Sequence, residues 1–273
     1  MFRVLGVIMR KNLDNVINKF KALSEVEAIA IGGSTTAKTS DNKSDIDIYI
    51  FYKTEIHLEE RKRIIKPISS KYEIGGEYFG SGDEFLVDEI NQQLDVMYWN
   101  TSWFEEIIDN VWIKHYPSNG YTTCFLYTLK NFNIIYDKNN WLKNLQQKIN
   151  TEYPTELQQN IIKRNLMLMK DKPFASYYEQ IEKAINRNDI NSINHRISAF
   201  VASYFDIIFA INKHLHSGGK RLIDYVKNNC KIIPNNFETN LQKLFKQPNN
   251  DTLNILNNII YELKILLKKE EKL

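Results

Sequence analysis

Residues 45–50 alternate strictly between two kinds of side chain, and this alternation is the strongest constraint on how the chain folds. Asp45, Asp47 and Tyr49 are separated by isoleucines at positions 46, 48 and 50. A period of two is that of a β-strand, so the isoleucines are predicted to face a core and the two aspartates to share the opposite face. Neighbouring carboxylates repel one another, and a divalent cation that binds both removes the repulsion. The segment therefore predicts a sheet with a candidate metal-binding face.

A second strand and a glycine turn precede this segment. The apolar run at 26–31 is ended by Gly32-Gly33-Ser34, and ten polar or small residues separate Ser34 from Asp45. Because glycine has no Cβ, backbone N–H groups of such a turn can approach an anion closely. An alternating Asp pair or a Gly-Gly-Ser turn alone is common in ordinary sheets and turns. Their combination, in this order, predicts a site for Mg²⁺ and a nucleotide.

A third carboxylate, Asp95, lies in another strand candidate, Leu94-Asp-Val-Met-Tyr98. If that strand is a neighbour of the first, Asp95 completes a three-carboxylate metal site with Asp45 and Asp47. The aromatic residues that follow can form either a wall for a ligand or part of the core, and core packing is the favoured interpretation. These residues are Tyr98, Trp99, Trp103 and Trp112.

The two parts of the chain differ in character. Up to about residue 115, strand patterns alternate with short helical ones, which predicts an α+β domain with a mixed sheet and flanking helices. Later segments at 155–169, 176–187, 193–215 and 251–268 carry apolar residues at helical spacing, which predicts a helical bundle. The predicted domains are residues 1–115 and 116–273.

Composition excludes several classes of protein. Lys and Arg number 36 against 33 Asp and Glu, a net charge of +3, which argues against a strongly basic nucleic-acid coat. Cys124 and Cys230 are far apart, which argues against a disulfide framework or a cysteine zinc site. No apolar run approaches the ~18 residues of a membrane span, and the first residues do not match a signal peptide. A cytoplasmic protein is expected.

The segment from Ile29 to Ile50 resembles the signature of the DNA polymerase β-type nucleotidyltransferase superfamily. The resemblance implies that Gly33 and Ser34 bind the nucleotide triphosphate and that Asp45, Asp47 and Asp95 are catalytic and hold two Mg²⁺ ions. The polymerase β-like domain followed by a helical bundle is similar to antibiotic nucleotidyltransferases acting on aminoglycosides and lincosamides. The segments 94–98, 120–125, 135–137, 194–196, 202–206 and 219–222 resemble a bacterial family of uncharacterised nucleotidyltransferase-like proteins.

These resemblances imply a reaction and its partners. An NMP, in the first instance AMP from ATP, is transferred to a hydroxyl of a small, antibiotic-like acceptor, and pyrophosphate is released. A homodimer is compatible with the resemblance, because related enzymes can build the acceptor site between subunits. Two alternatives stay open: nucleotidylation of a protein or RNA end, and a non-catalytic nucleotide-binding regulator. The absence of an extended basic region argues against a nucleic-acid partner.

The predicted helical bundle carries a second set of polar candidates. Lys220 follows Gly218-Gly219, where it can reach a triphosphate or simply balance the charge at a helix end. His195 and Asp206 fall near one line of a predicted helix, and that line is either a cleft or, by preference, a solvated or internally paired face. The sequence assigns no role to His195, Asp206 or Arg221.

Overall fold

The computed structural model describes residues 13–33, 45–78, 80–172, 174–246 and 251–272 of the chain. It divides into two compact units: Met1–Ile108 with Thr128–Thr151, and Asp109–Tyr127 with Glu152–Leu273. The boundary that the sequence predicts, between a domain of residues 1–115 and one of residues 116–273, stays a prediction. Among the helices of the described residues, none combines the length and apolar character needed to cross a membrane.

The first unit contains a six-stranded mixed sheet, as predicted. Its strands are β1 (Val26–Gly32), β2 (Ile46–Tyr52), β3 (Tyr72–Gly76), β4 (Gly82–Val87), β5 (Gln92–Asn100) and β6 (Asn133–Asp137). Their order across the sheet is β3-β4-β5-β2-β1-β6. Only β2 and β5 pair in parallel; the other neighbours are antiparallel. A parallel pair needs a crossover, and here it is made by α2 (Leu58–Ile65) and the β3–β4 hairpin.

One face of the sheet is closed by two helices, which accounts for the apolar half of each strand pattern. Residues 13–21 are helical (α1) and pack, together with α2, against the isoleucines of β2. Ile48 and Ile50 are almost completely buried in this layer, as are Leu94 and Val96 of β5. The period-two pattern that predicted β2 therefore reflects burial of this face.

The opposite face is covered by aromatic side chains beyond Tyr49. Phe51 lies 5.2 Å, between ring centroids, from both Phe104 and Trp141. Trp99 of β5 lies 5.1 Å from Phe104 and 4.7 Å from Tyr49. The contributing helices are α3 (Thr101–Trp112) and α5 (Trp141–Lys148). The preference for core packing of the aromatic residues after Asp95 is confirmed for Tyr98 and Trp112, which are buried, but not for Trp103, which is 42% exposed.

A buried ion pair joins α2 to the β3–β4 hairpin. The Arg61 guanidinium donates two hydrogen bonds to the Asp83 carboxylate, which also accepts from the Tyr98 hydroxyl at 2.6 Å and from the Gly75 backbone N–H at 2.9 Å. Arg61 is 4% exposed and Asp83 1%. The Asp83 carboxylate is therefore held by buried donors of the protein. Its bond from Tyr98 links β4 to β5.

The second unit is helical, as predicted for the later part of the chain. Its helices are α6 (Thr155–Leu166), α7 (Tyr177–Asn186), α8 (Ile190–Ile211), α9 (Leu222–Asn229), α10 (Phe237–Phe245) and α11 (Thr252–Lys269). A π-helical turn, Met167–Asp171, extends α6. The chain passes from one unit to the other within α3, within α4 (Cys124–Asn131) and after Thr151. The long central helix α8 packs against α6 and α7, which explains its nearly continuous burial.

Candidate functional site

The structure places Asp47 and Asp95 side by side. In the parallel pairing of β2 with β5 their Cα atoms are partners, so both side chains project from the same face of the sheet. The predicted adjacency of these two strands is confirmed. Both side chains are half-buried, and the Gln93 side-chain amide donates to Asp95 Oδ1 at 3.0 Å. The roles of these aspartates in catalysis and metal binding stay predictions.

Gly33 lies directly against the Asp47 carboxylate. It follows the end of β1, whose Gly32 is the cross-strand partner of Asp47. Gly33 has φ +72°, and a Cβ placed on it would come within 1.6 Å of Asp47 Oδ2. Glycine suits this position, because a side chain would displace the Asp47 carboxylate and the backbone conformation disfavours one. Ser34, the other predicted residue of the turn, lies outside the described residues, as does the spacer to residue 44.

Asp47 and Asp95 belong to a row of carboxylates that extends across four strands. The register pairs Asp95 with Glu84 of β4, and Glu84 with Glu73 of β3. We call Asp47, Asp95, Glu84 and Glu73 the carboxylate row. Neighbouring strands lie about 4.8 Å apart, so each member has a like charge close by. Nothing in the local sequence around Glu73 or Glu84 indicates this arrangement, because it depends on strand order.

Repulsion within the row is visible in its electrostatics. The pKa of the Glu84 carboxyl is raised, first by the negative charge of Asp95 and then by burial, by Glu73 and by Asp45. Asp45, exposed and just before β2, thus acts on the same face of the sheet. Burial, with a smaller contribution from Asp47, raises the pKa of the Tyr49 hydroxyl. The face is one on which a cation would relieve like-charge repulsion.

The donor set of this face suits Mg²⁺. In the described parts of the chain, no three His, Cys, Asp or Glu side chains converge closely enough to hold a metal ion as they stand. Mg²⁺ nonetheless prefers oxygen ligands, and protein sites usually supply one or two carboxylates while phosphates and water complete the shell. Asp47 and Asp95 meet that requirement as a directly paired couple.

The remaining predicted nucleotide-binding residue, Lys220, belongs to the second unit. It is exposed on the turn that precedes α9, next to Gly218 and Gly219. Its role stays a prediction. Arg221, which follows, has a left-handed backbone conformation with φ 51° at the start of α9.

Asp206 proves to be an internally paired residue, which confirms the preferred interpretation of its helix face at this position. Its carboxylate accepts hydrogen bonds from the backbone N–H of Thr122 at 3.0 Å, the Thr122 hydroxyl at 2.6 Å and the Asn165 side-chain amide at 3.1 Å. Burial raises the pKa of this carboxyl to about 6 despite those bonds. The network ties the segment before α4 to α6 and α8, whereas His195, on the same helix, is exposed.

His216 is a second buried polar group near that segment. Its backbone N–H donates to Thr123 Oγ1 at 2.8 Å, and its ring lies between those of Tyr121 and Phe209, each 4.6 Å away between centroids. The Gly218 backbone N–H donates to His216 Nδ1, so the ring carries its proton on Nε2. Burial lowers the pKa of His216 to about 4, and the ring is therefore neutral at physiological pH.

Several solved structures resemble this chain, and two of them are the following. One is a nucleotidyltransferase-like protein from Exiguobacterium sibiricum, 9% identical, with 96% of this chain and 75% of that chain covered and a TM-score of 0.46. The other is a STING-associated CdnE c-di-GMP synthase from Capnocytophaga granulosa, 17% identical, with coverages of 96% and 80% and a TM-score of 0.29. Neither likeness is close enough to bear on activity. Among curated proteins no match is found.

Family models match two successive stretches of the chain. Residues 121–220 match a domain of unknown function (DUF4037), a stretch that contains the Thr122–Asp206 network. Residues 14–111 match the family described as Polymerase beta, Nucleotidyltransferase, and they include Gly33, Asp45, Asp47 and Asp95. Strands β1 to β5, and with them the whole carboxylate row, therefore lie within a stretch that matches a nucleotidyltransferase domain of the polymerase β type.

Proposed function

We propose that the chain is a Mg²⁺-dependent nucleotidyltransferase that transfers an NMP, AMP from ATP in the first instance, to a hydroxyl of a small-molecule acceptor. The observation that supports this most strongly is the direct pairing of Asp47 with Asp95 beside Gly33, within residues that match the nucleotidyltransferase family. Transfer of this kind belongs to the class of reactions that release pyrophosphate.

The proposed roles combine the pairing of Asp47 with Asp95 and the roles that the resemblance implies. Asp47 and Asp95, with Asp45, would hold the metal; bound Mg²⁺ supplies positive charge that offsets the charge of the triphosphate. Gly33 would present its backbone to the phosphates at the end of β1. Ser34 and Lys220 keep the nucleotide-binding roles that the resemblance implies for them. Asp95 would accept the proton of the acceptor hydroxyl while the hydroxyl oxygen forms a bond to the α-phosphorus. The bond from that phosphorus to the β-phosphate oxygen breaks, and pyrophosphate leaves.

An antibiotic-like acceptor is proposed from the domain plan, which is similar to that of aminoglycoside and lincosamide nucleotidyltransferases. A net charge of +3 on 273 residues gives no support to an RNA substrate. A cytoplasmic location, where NTPs and Mg²⁺ are available, and a homodimer are parts of the same proposal.

The proposal is tested by thermal unfolding with each NTP, with and without Mg²⁺. A ligand at about 100 times its Kd stabilises the folded protein by about 2.7 kcal/mol, which is readily seen. We expect one or more NTPs to raise the Tm of the wild type only with Mg²⁺, and the effect to be lost in Asp47→Asn. Asp88→Asn is the matched control, because Asp88 is exposed on the same unit outside the carboxylate row.

Two results would count against this account. If no NTP shifts the Tm of either the wild type or Asp88→Asn, the nucleotide site is misassigned. If an NTP raises the Tm as much without Mg²⁺ as with it, and as much in Asp47→Asn as in the wild type, the result favours the alternative of a non-catalytic nucleotide-binding regulator.

A further inference from the structure

A cavity opens at the ends of three helices of the second unit. Its volume is about 580 Å³, within the usual range of 300–1,000 Å³ for small-molecule sites. The last residues of α8 and α9, and the segments that follow α8, α9 and α11, lie around it. The lining residues that carry the argument are Gln158, Lys213, His214, Lys231, Glu270 and Lys272. None of them belongs to the nucleotidyltransferase domain.

The cavity carries an excess of positive charge. Lys213, Lys231 and Lys272 line it against one carboxylate in the described lining, that of Glu270. Within the described part of the chain, the three ammonium groups have no ion pair or side-chain hydrogen bond. Three lysines that line one cavity without partners are favourable for a ligand with negative charge.

Helix ends do not account for these lysines. Lysine often lies near a helix C-terminus because it can bind the last carbonyl groups. At the end of α8, however, other donors already bind those carbonyls. The Gln158 amide donates to the carbonyls of Ala210 and Ile211 at 2.8 and 3.3 Å, and the His214 backbone N–H donates to that of Phe209 at 2.9 Å.

At the ends of α9 and α11, backbone N–H groups bind carbonyls of the last turns. The Cys230 backbone N–H donates to the carbonyl of Val226 at 2.8 Å, and that of Lys272 donates to the carbonyl of Leu267 at 2.8 Å. Both donors belong to the backbone. The lysine ammonium groups are thus available to a ligand.

A buried acceptor without a partner lies in the same wall. Gln158 is 0% exposed, and its Nε2 is used by the α8 carbonyls, but its Oε1 has no hydrogen-bond partner among the described residues. A buried amide oxygen without a donor is costly, so such atoms in native proteins usually meet water or a ligand. Oε1 accepts only, and it therefore requires an O–H or N–H group.

We propose that this cavity is a binding site for a small phosphorylated compound. The phosphate group would be held by Lys213, Lys231 and Lys272, and an O–H or N–H of the ligand would donate to Gln158 Oε1. Hydroxyl groups elsewhere on the ligand would donate to Glu270. All of its residues belong to the second unit, and none of them has a role in the proposed nucleotidyl transfer.

Inorganic phosphate and sulfate are the probes. At constant ionic strength, phosphate offers negative charge and an O–H donor, whereas sulfate at neutral pH offers charge alone. The chain has five histidines, and the ring C–H signal of His214, assigned with the His214→Gln variant, reports on the cavity by NMR. We expect this signal of the full-length protein to shift saturably with phosphate and to shift less, at equal concentration, with sulfate.

Lysine variants supply the matched comparison. In Lys231→Gln/Lys272→Gln, phosphate should bind about tenfold more weakly or worse, because two charge-assisted contacts are lost. Lys163→Gln/Lys243→Gln removes the same charge from exposed positions of the unit that do not line the cavity, and it should bind as the wild type does. Equal weakening in both pairs would show a nonspecific charge effect. No saturable shift, or equal binding of sulfate, would also overturn the proposal.

Discussion

Replacing Asp83 by alanine should destabilise the first unit severely. The substitution leaves the Arg61 guanidinium, 4% exposed, without its carboxylate, and it removes the acceptor of the Tyr98 hydroxyl and of the Gly75 N–H. Breaking a buried pair by removing one partner costs about 3–5 kcal/mol. Burial and the charge of Asp83 raise the pKa of Tyr98, so this hydroxyl stays protonated and loses a real bond. The loss is a large share of a typical total of about 5–15 kcal/mol.

Urea unfolding followed by tryptophan fluorescence measures this loss. Trp99, Trp103 and Trp141 belong to the first unit, so the signal reports mainly on it. The matched control replaces the polar set together, as Arg61→Met/Asp83→Leu/Tyr98→Phe, which leaves neither an unpaired charge nor an unpaired hydroxyl. Apolar replacement of a buried pair is often neutral or stabilising, so the triple variant should be much more stable than Asp83→Ala. A loss below about 1 kcal/mol in Asp83→Ala would refute the reasoning.

Three further predictions concern glycine positions and a buried acid. Gly33→Ala should abolish nucleotidyl transfer, because its Cβ would overlap the Asp47 carboxylate; pyrophosphate release measures activity, and circular dichroism checks that the variant stays folded. Gly120→Ala should lower the Tm, because Gly120 has φ +87° and a Cβ there would lie 2.8–2.9 Å from Ala202 Cβ and carbonyl carbon; an unchanged Tm would contradict the packing. For Asp206 the folded pKa of about 6 exceeds the unfolded 3.8, so the folded state binds more protons and the free energy of unfolding should fall as pH rises from about 4 to 6, by about 3 kcal/mol for this group. Subtracting the pH profile of Asp206→Asn from that of the wild type isolates this contribution, and a flat difference would contradict it.

Local periodicity predicts the helices and strands that bury apolar side chains on one face. The alternation at 45–50 predicted β2, and the helical spacing from Ile193 onward predicted α8, because each pattern reports which side chains face a core. The sequence predicts that Asp47 and Asp95 lie together only if their strands are neighbours. No local pattern in the sequence shows which strands pair.

Long-range geometry accounts for what the sequence did not reveal. Glu84 and Glu73 join the row only because β4 and β3 lie beyond β5 in the sheet. The strand β6, which pairs with β1, lies within residues predicted to be part of the helical bundle and has no clear alternation of burial. The partners Thr122 and Asp206 are 84 positions apart, so no local pattern relates them. Each of these features depends on topology rather than on neighbouring residues.

The central claim is that Asp47 and Asp95 support transfer of a nucleotide to a small molecule. Its most direct test is incubation of the protein with α-labelled ATP, Mg²⁺ and a panel of aminoglycosides and lincosamides, with separation of small-molecule, protein and RNA fractions. The account predicts Mg²⁺-dependent label in a small-molecule product, reduced about 10²–10³-fold or more in Asp47→Asn and unchanged in Asp88→Asn. Label confined to protein or RNA would contradict the acceptor class, and undiminished transfer by Asp47→Asn would contradict the site.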